Sequence, residues 1–256
     1  MGKHDYDDFL SEIYDDAPYF GQPRSRSLKE FNKMYFEQVS RDDRILELGS
    51  GTGMLTVDMA RAGYELDSVD ISPSMHRVVG KKLAAETEAT RSNVNQIVGD
   101  AIAYRGTQLY DVIVMAEGLI IALPDAKLQR ALLENCHRNL RPGGRILTDF
   151  FQPRYKVIYN ETLTEHARFR TKHGDTYLLS MSFENDQYTQ VQTWNAVFRR
   201  MAADHGAEEV TTNTVHFRYV FKSEMELLLE LTGFRVLEFD ESFANGNGFR
   251  LIAEKV

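Results

Sequence analysis

Glu47-Leu48-Gly49-Ser50-Gly51-Thr52-Gly53 joins a short apolar run, Arg44-Ile45-Leu46-Glu47-Leu48, to a stretch from Met54 to Ala62 whose apolar residues fall at helical spacing. The junction therefore reads as strand, glycine-rich loop, helix. Glycines at every second position let the backbone turn sharply and approach a ligand closely, and the following helix offers free amides at its N-terminus. A dinucleotide fingerprint, G-x-G-x-x-G, would need glycine at position 54, where Met54 stands. The spacing is G-x-G-x-G, with acidic Glu47 two positions ahead of the first glycine. Without a pyrophosphate to cradle, such a loop need admit only the compact end of a ligand. Taken alone the motif is also compatible with a purely structural turn.

On the C-terminal side, Tyr64–Asp70 reads as a second strand, and Ser72 with Pro73 starts a helix expected to run to about Thr90. Asn95–Val98 is a third strand ending at Gly99-Asp100, and Tyr110–Met115 is a fourth, continuously apolar as strands covered on both faces tend to be. A helix from about Asp125 to Leu140 leads through a tight turn, Arg141-Pro142-Gly143-Gly144, into a fifth strand, Arg145–Phe150. This alternation implies a parallel sheet with helices on both faces. Residues 151–220 differ: Phe169–Lys172, Tyr177–Phe183, Tyr188–Arg200 and Val210–Phe221, separated by turn residues, read as an antiparallel meander. The chain then returns to a helix, Ser223–Thr232 closed by Gly233, and two strands, Arg235–Phe239 and Phe249–Glu254. Residues 1–40 read as amphipathic helix interrupted near Pro18, Gly21 and Pro23, with Phe9, Ile13, Leu28, Phe31, Tyr35 and Val39 at helical spacing. The expected organisation is a cap or lid over 1–40, a Rossmann-like α/β core over 41–150 and 221–256, and an inserted antiparallel β lobe over 151–220.

Composition narrows the function. A chain of 256 residues with 43% hydrophobic and 27% charged residues can bury a full core without staples. The net charge of −8 argues against wrapping nucleic acid, and no apolar run is long enough to span a bilayer. The polar, acidic N-terminus resembles no targeting segment, and one cysteine, Cys136, fits a reducing, cytoplasmic setting. No G-x-x-x-x-G-K-[ST] triphosphate loop or G-x-S-x-G nucleophile elbow is present, and the seven histidines show no H-E-x-x-H or paired-cysteine spacing, so no metal is expected. Cys136 falls in an apolar-periodic helix and reads as core.

Asp70 ends the second strand, where a carboxylate can accept both hydroxyls of a ribose, and Asp100 ends the third, where one could hold an exocyclic amine. With the glycine loop and the Pro142-Gly143-Gly144 turn, this order resembles the class I S-adenosylmethionine-dependent methyltransferases, strongly over about residues 40–150 and in outline over 222–256. The resemblance implies a seven-stranded, mostly parallel sheet whose last strand is antiparallel. It implies that Gly49, Gly51 and Gly53 line the methionine end of S-adenosylmethionine, with Glu47 orienting its ammonium. Asp70 would bind the ribose, Ile71 and Met75 would flank the adenine, Asp100 with Ala101 would hold its edge, and Met115, Ala116 and Glu117 would face the sulfonium. Simpler roles stay open: helix N-caps for Asp70 and Asp100, packing for Met75, a solvated loop position for Glu117.

The fourth strand continues as Met115-Ala116-Glu117-Gly118, not as the Asn/Asp-Pro-Pro-Tyr used on planar amides and bases. With the acidic charge, that points to a nitrogen or oxygen of a small molecule, S-adenosylhomocysteine being the other product. The aromatic-rich first 40 residues resemble the N-terminal cap of small-molecule methyltransferases, and the whole layout resembles the sugar-amine and glycine-type N-methyltransferases. Tyr14 is the candidate to stack over the sulfonium, and Tyr19, Trp194 and Tyr219 are the candidates to line the acceptor. Glu117 and His216 are the candidate general bases. Glu117 with Asp149 could in principle hold Mg²⁺ as in catechol-type enzymes, a reading set aside because carboxylates at strand ends are common. The rivals are a protein or RNA methyltransferase and a non-catalytic S-adenosylmethionine-binding regulator; a homodimer is left open.

Overall fold

In the computed structural model, residues 8–20, 32, 34–151, 155–159, 162–201, 209–243 and 248–256 are described. Gly21, Pro23, Leu28 and Phe31 lie outside them. Strand β1 (Ile45–Leu48) is buried along its whole length and lies between β2 (Leu66–Asp70) and β4 (Tyr110–Met115), parallel to both. Outside β2 runs β3 (Val94–Val98), and outside β4 runs β5 (Leu140–Phe151), each again parallel to its neighbour. The sheet is completed by β11 (Gly248–Lys255), antiparallel to β5, and β10 (Phe234–Asp240), giving seven strands in the order β10-β11-β5-β4-β1-β2-β3. The one reversed strand, β11, antiparallel to both β5 and β10, is the antiparallel last strand that the resemblance implied.

The helices follow local chemistry. Helix α2 (Met54–Arg61) follows Gly53, and Gly63 at φ 84 takes the left-handed position beyond its C-terminus. Helix α3 (Pro73–Ala84) starts on Ser72, whose hydroxyl accepts from Met75 N–H, with Pro73 in the first turn. It stops at Ala84, short of the expected Thr90. Thr87 has extended backbone and uses its Oγ1 to cap Thr90 N–H, so a second helix, α4 (Glu88–Ser92), begins instead. Helix α5 (Ala126–Asn139) is capped by the Asp125 carboxylate on Lys127 N–H. Its Cys136 is fully buried with Sγ 3.8 Å from Met115 Sδ, and burial pushes the thiol up to about 12. That thiol is a packing group, not a nucleophile. The Pro142-Gly143-Gly144 turn is an irregularity inside β5: pairing with β4 steps from Tyr110↔Leu140 to Val112↔Arg145, with Gly143 at φ 73. Helix α7 (Lys222–Leu231) precedes β10, and no helix among the described residues is long and apolar enough to cross a membrane.

After a short helix, α6 (Tyr155–Tyr159), strands β6 (Thr162–Arg170), β7 (Thr176–Asp186), β8 (Val191–Met201) and β9 (Val210–Arg218) form a separate antiparallel sheet in sequential order. Side chains alternate along β7 and along β8 as far as Phe198. One face buries Leu179, Met181, Phe183, Trp194, Ala196, Phe198 and Val215. What covers that face decides the architecture. Leu10, Ile13 and Ala17 from α1 (Asp8–Ile13) and the turn after it join the same core, and Phe151 from the end of β5 packs against it. A six-residue helix is too short to persist alone, so α1 owes its existence to this packing. Each fully buried Leu or Phe contributes about 1.5–3 kcal/mol.

Candidate functional site

The glycine loop leaves β1 and is pinned to β2 by main-chain bonds from Gly49 N–H and Ser50 N–H to Val69 O, at 2.8 and 3.1 Å. Gly49, Gly51 and Gly53 all have positive φ, 71, 53 and 76°. A Cβ at Gly49 would meet Leu119 Cδ1 at 2.7 Å and one at Gly53 would meet Val79 Cγ2 at 2.9 Å. At Gly51 it would meet nothing within 4 Å. The outer two glycines therefore let the loop pack, while the middle one borders open space. Beside it, the Ser50 hydroxyl is buried without a hydrogen-bond partner among the described residues. An open cradle lined by an unpaired buried donor and acceptor suits a polar ligand drawn close to the backbone. The residues present fit S-adenosylmethionine.

Asp70, 6% exposed, holds the loop and the next helix together: Oδ2 accepts from Gly51 N–H and Oδ1 from Ser72 N–H, both at 2.8 Å. Ser72, not Asp70, caps α3. The Ile71 N–H also acts on the carboxylate, and its remaining lone-pair capacity can take a ligand hydroxyl. Asp70→Ala therefore removes two buried amide acceptors as well as the ligand contact, at about 1–3 kcal/mol each. Both the melting temperature and S-adenosylmethionine affinity are expected to fall, by calorimetry and thermal unfolding; an unchanged affinity in a folded variant would contradict the ribose assignment.

Glu47 is 2% exposed and accepts from Thr56 Oγ1 at 2.5 Å. Burial raises its carboxyl to about 8, with Asp70 adding repulsion and the Thr56 bond opposing. Asp149, 5% exposed, is raised by burial to about 6. The folded protein thus binds more protons than the unfolded chain from the ordinary carboxylate range up to about pH 8. Stability of the ligand-free protein is expected to fall as pH rises from about 5 to about 8, and Glu47→Gln should flatten that decline. Melting temperatures across that range check it; no decline in the parent would contradict it.

The third carboxylate site is the turn after β4. Glu117 sits at φ 56 and Gly118 at φ 80. Asp149 on β5 clamps this turn, its Oδ1 accepting from Glu117 N–H at 2.8 Å and its carbonyl from Gly118 N–H at 3.2 Å. The Tyr35 hydroxyl donates to the same Oδ1. A left-handed glutamate is uncommon, and it persists because Asp149 fixes it. The half-buried Glu117 carboxylate accepts no hydrogen bond among the described residues. Burial first, then the neighbouring Asp149, Asp15 and Glu47, push it well above the usual range, with Lys82 opposing. Such a group holds its proton to higher pH than an ordinary glutamate.

The other expected residues divide. Asp100 is exposed and turns its Oδ1 onto Ile102 N–H at 3.0 Å, and Ala101 O accepts from Asn135 Nδ2 at 2.7 Å. Ile71 is half-buried and Met75 is buried near the start of α3. Met115 is fully enclosed in the sheet core against Cys136, so its side chain does not face a ligand, contrary to expectation. His216 is corrected too: it lies on the solvent face of the lobe with Nδ1 3.0 Å from Thr193 Oγ1, because alternation sends it opposite to buried Val215. Tyr219 is 4% exposed and tied by its N–H to Gln190 O at 3.0 Å, beside Phe221, where it anchors the β7–β8 turn rather than lining an opening. Trp194, 7% exposed, packs 4.8 Å from Phe217, 5.3 Å from Phe183 and 5.5 Å from Phe151. Tyr14 packs 6.1 Å from Phe20, and Tyr19, at φ 71, 6.1 Å from Phe183.

Sequence reasoning did not single out Asp15, which bonds Thr52 Oγ1 at 2.5 Å and Lys82 Nζ at 2.6 Å. Nor did it give Tyr35 or Asp149 their clamping role. Through Asp15 the N-terminal segment sits directly on the glycine loop, while Asp8 meets Ser74 and Arg77 on α3 and Asp16 accepts from Lys172 N–H of the lobe at 3.0 Å.

Residues 45–144 match the methyltransferase-domain family. The cypemycin N-terminal methyltransferase of a Streptomyces species is 24% identical over 205 residues, 78% of this chain and 76% of its own. Among solved structures, the CcbJ methyltransferase of Streptomyces caelestis superposes with a TM-score of 0.78 over 100% of both chains, at 19% identity. S-adenosylmethionine-bound CalS10, an amino pentose methyltransferase of Micromonospora echinaspora, superposes at 0.71 over 91% of this chain and 94% of its own, at 15% identity. Residues 45–144 thus carry a methyltransferase domain, and the chain as a whole has the fold of solved methyltransferases.

Proposed function

We propose that the protein methylates a nitrogen or oxygen of a small molecule, held between the N-terminal segment, the Glu117 turn and the β lobe. The observation that carries this is the bridging of residues 8–20: Asp15 bonds the glycine loop, while Leu10, Ile13 and Ala17 share the core of the lobe. Phe151 makes a second bridge, touching Trp194 and Phe217 of the lobe and backing onto Gly118, where a Cβ would come 3.5 Å from its ring. In this reading residues 1–40 are a cap, 41–150 with 221–256 the cofactor core, and 151–220 the acceptor lobe.

When bound, S-adenosylmethionine supplies a methyl group already activated on a sulfonium. Gly51 and Ser50 would receive its amino-acid end, Glu47 its ammonium, Asp70 its ribose, and Ile71, Met75, Asp100 and Ala101 its adenine. Tyr14 would lie toward the sulfonium. Glu117 takes the proton that a protonated acceptor must lose before it can act as a nucleophile, and Asp149 holds Glu117 in place. The aromatic groups exclude water and strengthen the electrostatics within. An N-terminal and an amino pentose methyltransferase among the similar proteins support an amine acceptor. A buried lone thiol supports a cytoplasmic location.

Formation of S-adenosylhomocysteine from S-adenosylmethionine over a panel of small amines, phenols and carboxylic acids tests the proposal. Turnover of an amine is expected. Bound cofactor with no turnover would favour the regulator, and turnover only on a protein or RNA fraction would favour the macromolecular reading.

A further inference from the structure

Gln192 on β8 is 3% exposed, and among the described residues its amide nitrogen has no hydrogen-bond partner. The orientation of the amide is fixed from its other end. Trp194 Nε1–H, which can only donate, gives its hydrogen to Gln192 Oε1 at 3.3 Å. That leaves Nε2 as a buried pair of donors with nothing to bond, a cost that an apolar side chain of similar size would avoid.

Its place in the lobe is specific. Cross-strand register sets Gln192 opposite Phe217. The next residue, Arg218, donates its N–H to Ile121 O at 2.7 Å, so this end of the lobe abuts the loop that follows Glu117. Phe217 and Trp194 both lie 5.5 Å from Phe151, the residue that backs onto Gly118. The unpaired amide thus stands among the aromatic side chains that join the lobe to the Glu117 turn.

We infer that Gln192 recognises an oxygen atom of the acceptor, a hydroxyl, ether or carbonyl, by donating from Nε2. The inference rests on the acceptor reading above and narrows it to amines that also carry an oxygen function. A donor-only group cannot hold the ammonium, so the nitrogen belongs at the Glu117 carboxylate and the oxygen at Gln192.

The test compares kcat/KM for matched probes, morpholine against piperidine and glucosamine against cyclohexylamine, in the parent and in Gln192→Leu. The preference for the oxygen-bearing member is expected to shrink about 10- to 100-fold in the variant, with the rate on its carbon counterpart retained. Calorimetry should give the same S-adenosylhomocysteine affinity, and the melting temperature should hold or rise. A raised melting temperature with the preference intact would mean that Gln192 is only a packing defect and would overturn the inference. If Gln192→Leu does not fold, Gln192→Met, which nearly keeps the volume and has no donor, is expected to lose the same preference; its retention there overturns the inference equally. Absence of methyl transfer from the parent to any of these amines is a separate failure, that of the amine reading itself, and it takes the inference with it.

Discussion

Valine in place of Gly51 is expected to abolish S-adenosylmethionine binding while leaving the chain folded. Beyond its two chain neighbours, the direction in which the new side chain would point meets no atom of the described residues within 4 Å, so the described structure has room for it. The loss falls on whatever occupies that space. At φ 53 a left-handed valine costs on the order of 1–2 kcal/mol, a tolerable fraction of a domain's stability. Affinity should drop by more than about 100-fold, the calorimetric signal vanishing at ordinary ligand concentrations. Gly49→Ala and Gly53→Ala give the contrast. Their methyl groups would run into Leu119 at 2.7 Å and Val79 at 2.9 Å, so both are expected to lower the melting temperature. Parent-like binding by Gly51→Val would reduce the middle glycine to a turn residue.

Glu117→Gln is expected to lower kcat about 100- to 10,000-fold, the range for removal of a positioned general base, with cofactor affinity retained. The pH dependence carries the sharper signature. Burial and the neighbouring carboxylates hold Glu117 protonated to higher pH than an ordinary glutamate, so the basic form accumulates, and kcat rises, as pH rises through its raised value. That limb should disappear in Glu117→Gln. Asp149→Asn removes the foremost like charge from beside Glu117 and should move the limb to lower pH, alongside a loss of rate from the freed turn. A pH profile untouched by either substitution would show that the acceptor needs no base from this turn.

What the sequence disclosed and what it hid follow one rule: local chemistry is legible and long-range pairing is not. The loop at 49–53 announces itself because glycine spacing, the apolar run before it and the helical run after it are all adjacent. The break at Thr87 was hidden, since a threonine can cap a new helix only if the old one has ended, and periodicity alone continued through it. His216 was misplaced although the signal existed: Val215 is apolar, and in a strand covered on one face its neighbour points the other way. Met115 likewise belongs to the buried run of β4 that includes Ile113 and Val114. The Tyr35–Asp149 bond joins residues 114 apart, and Asp15 reaches Thr52 across 37. No local pattern marks either, and both depend on how the N-terminal segment lies across two sheets. Gln192 carried no signal at all; only the direction of the Trp194 N–H exposes its unpaired end.

The N-terminal segment is proposed to close over the cofactor loop and, with the lobe, to make the acceptor chamber. Hydrogen exchange with and without S-adenosylhomocysteine tests it most directly, because Asp15 links residues 8–20 to Thr52 in the loop itself. Ligand is predicted to slow exchange in residues 45–120 and, in the same experiment, in residues 8–20, as an ordered lid requires. Protection of residues 45–120 with no change in residues 8–20 would contradict the claim.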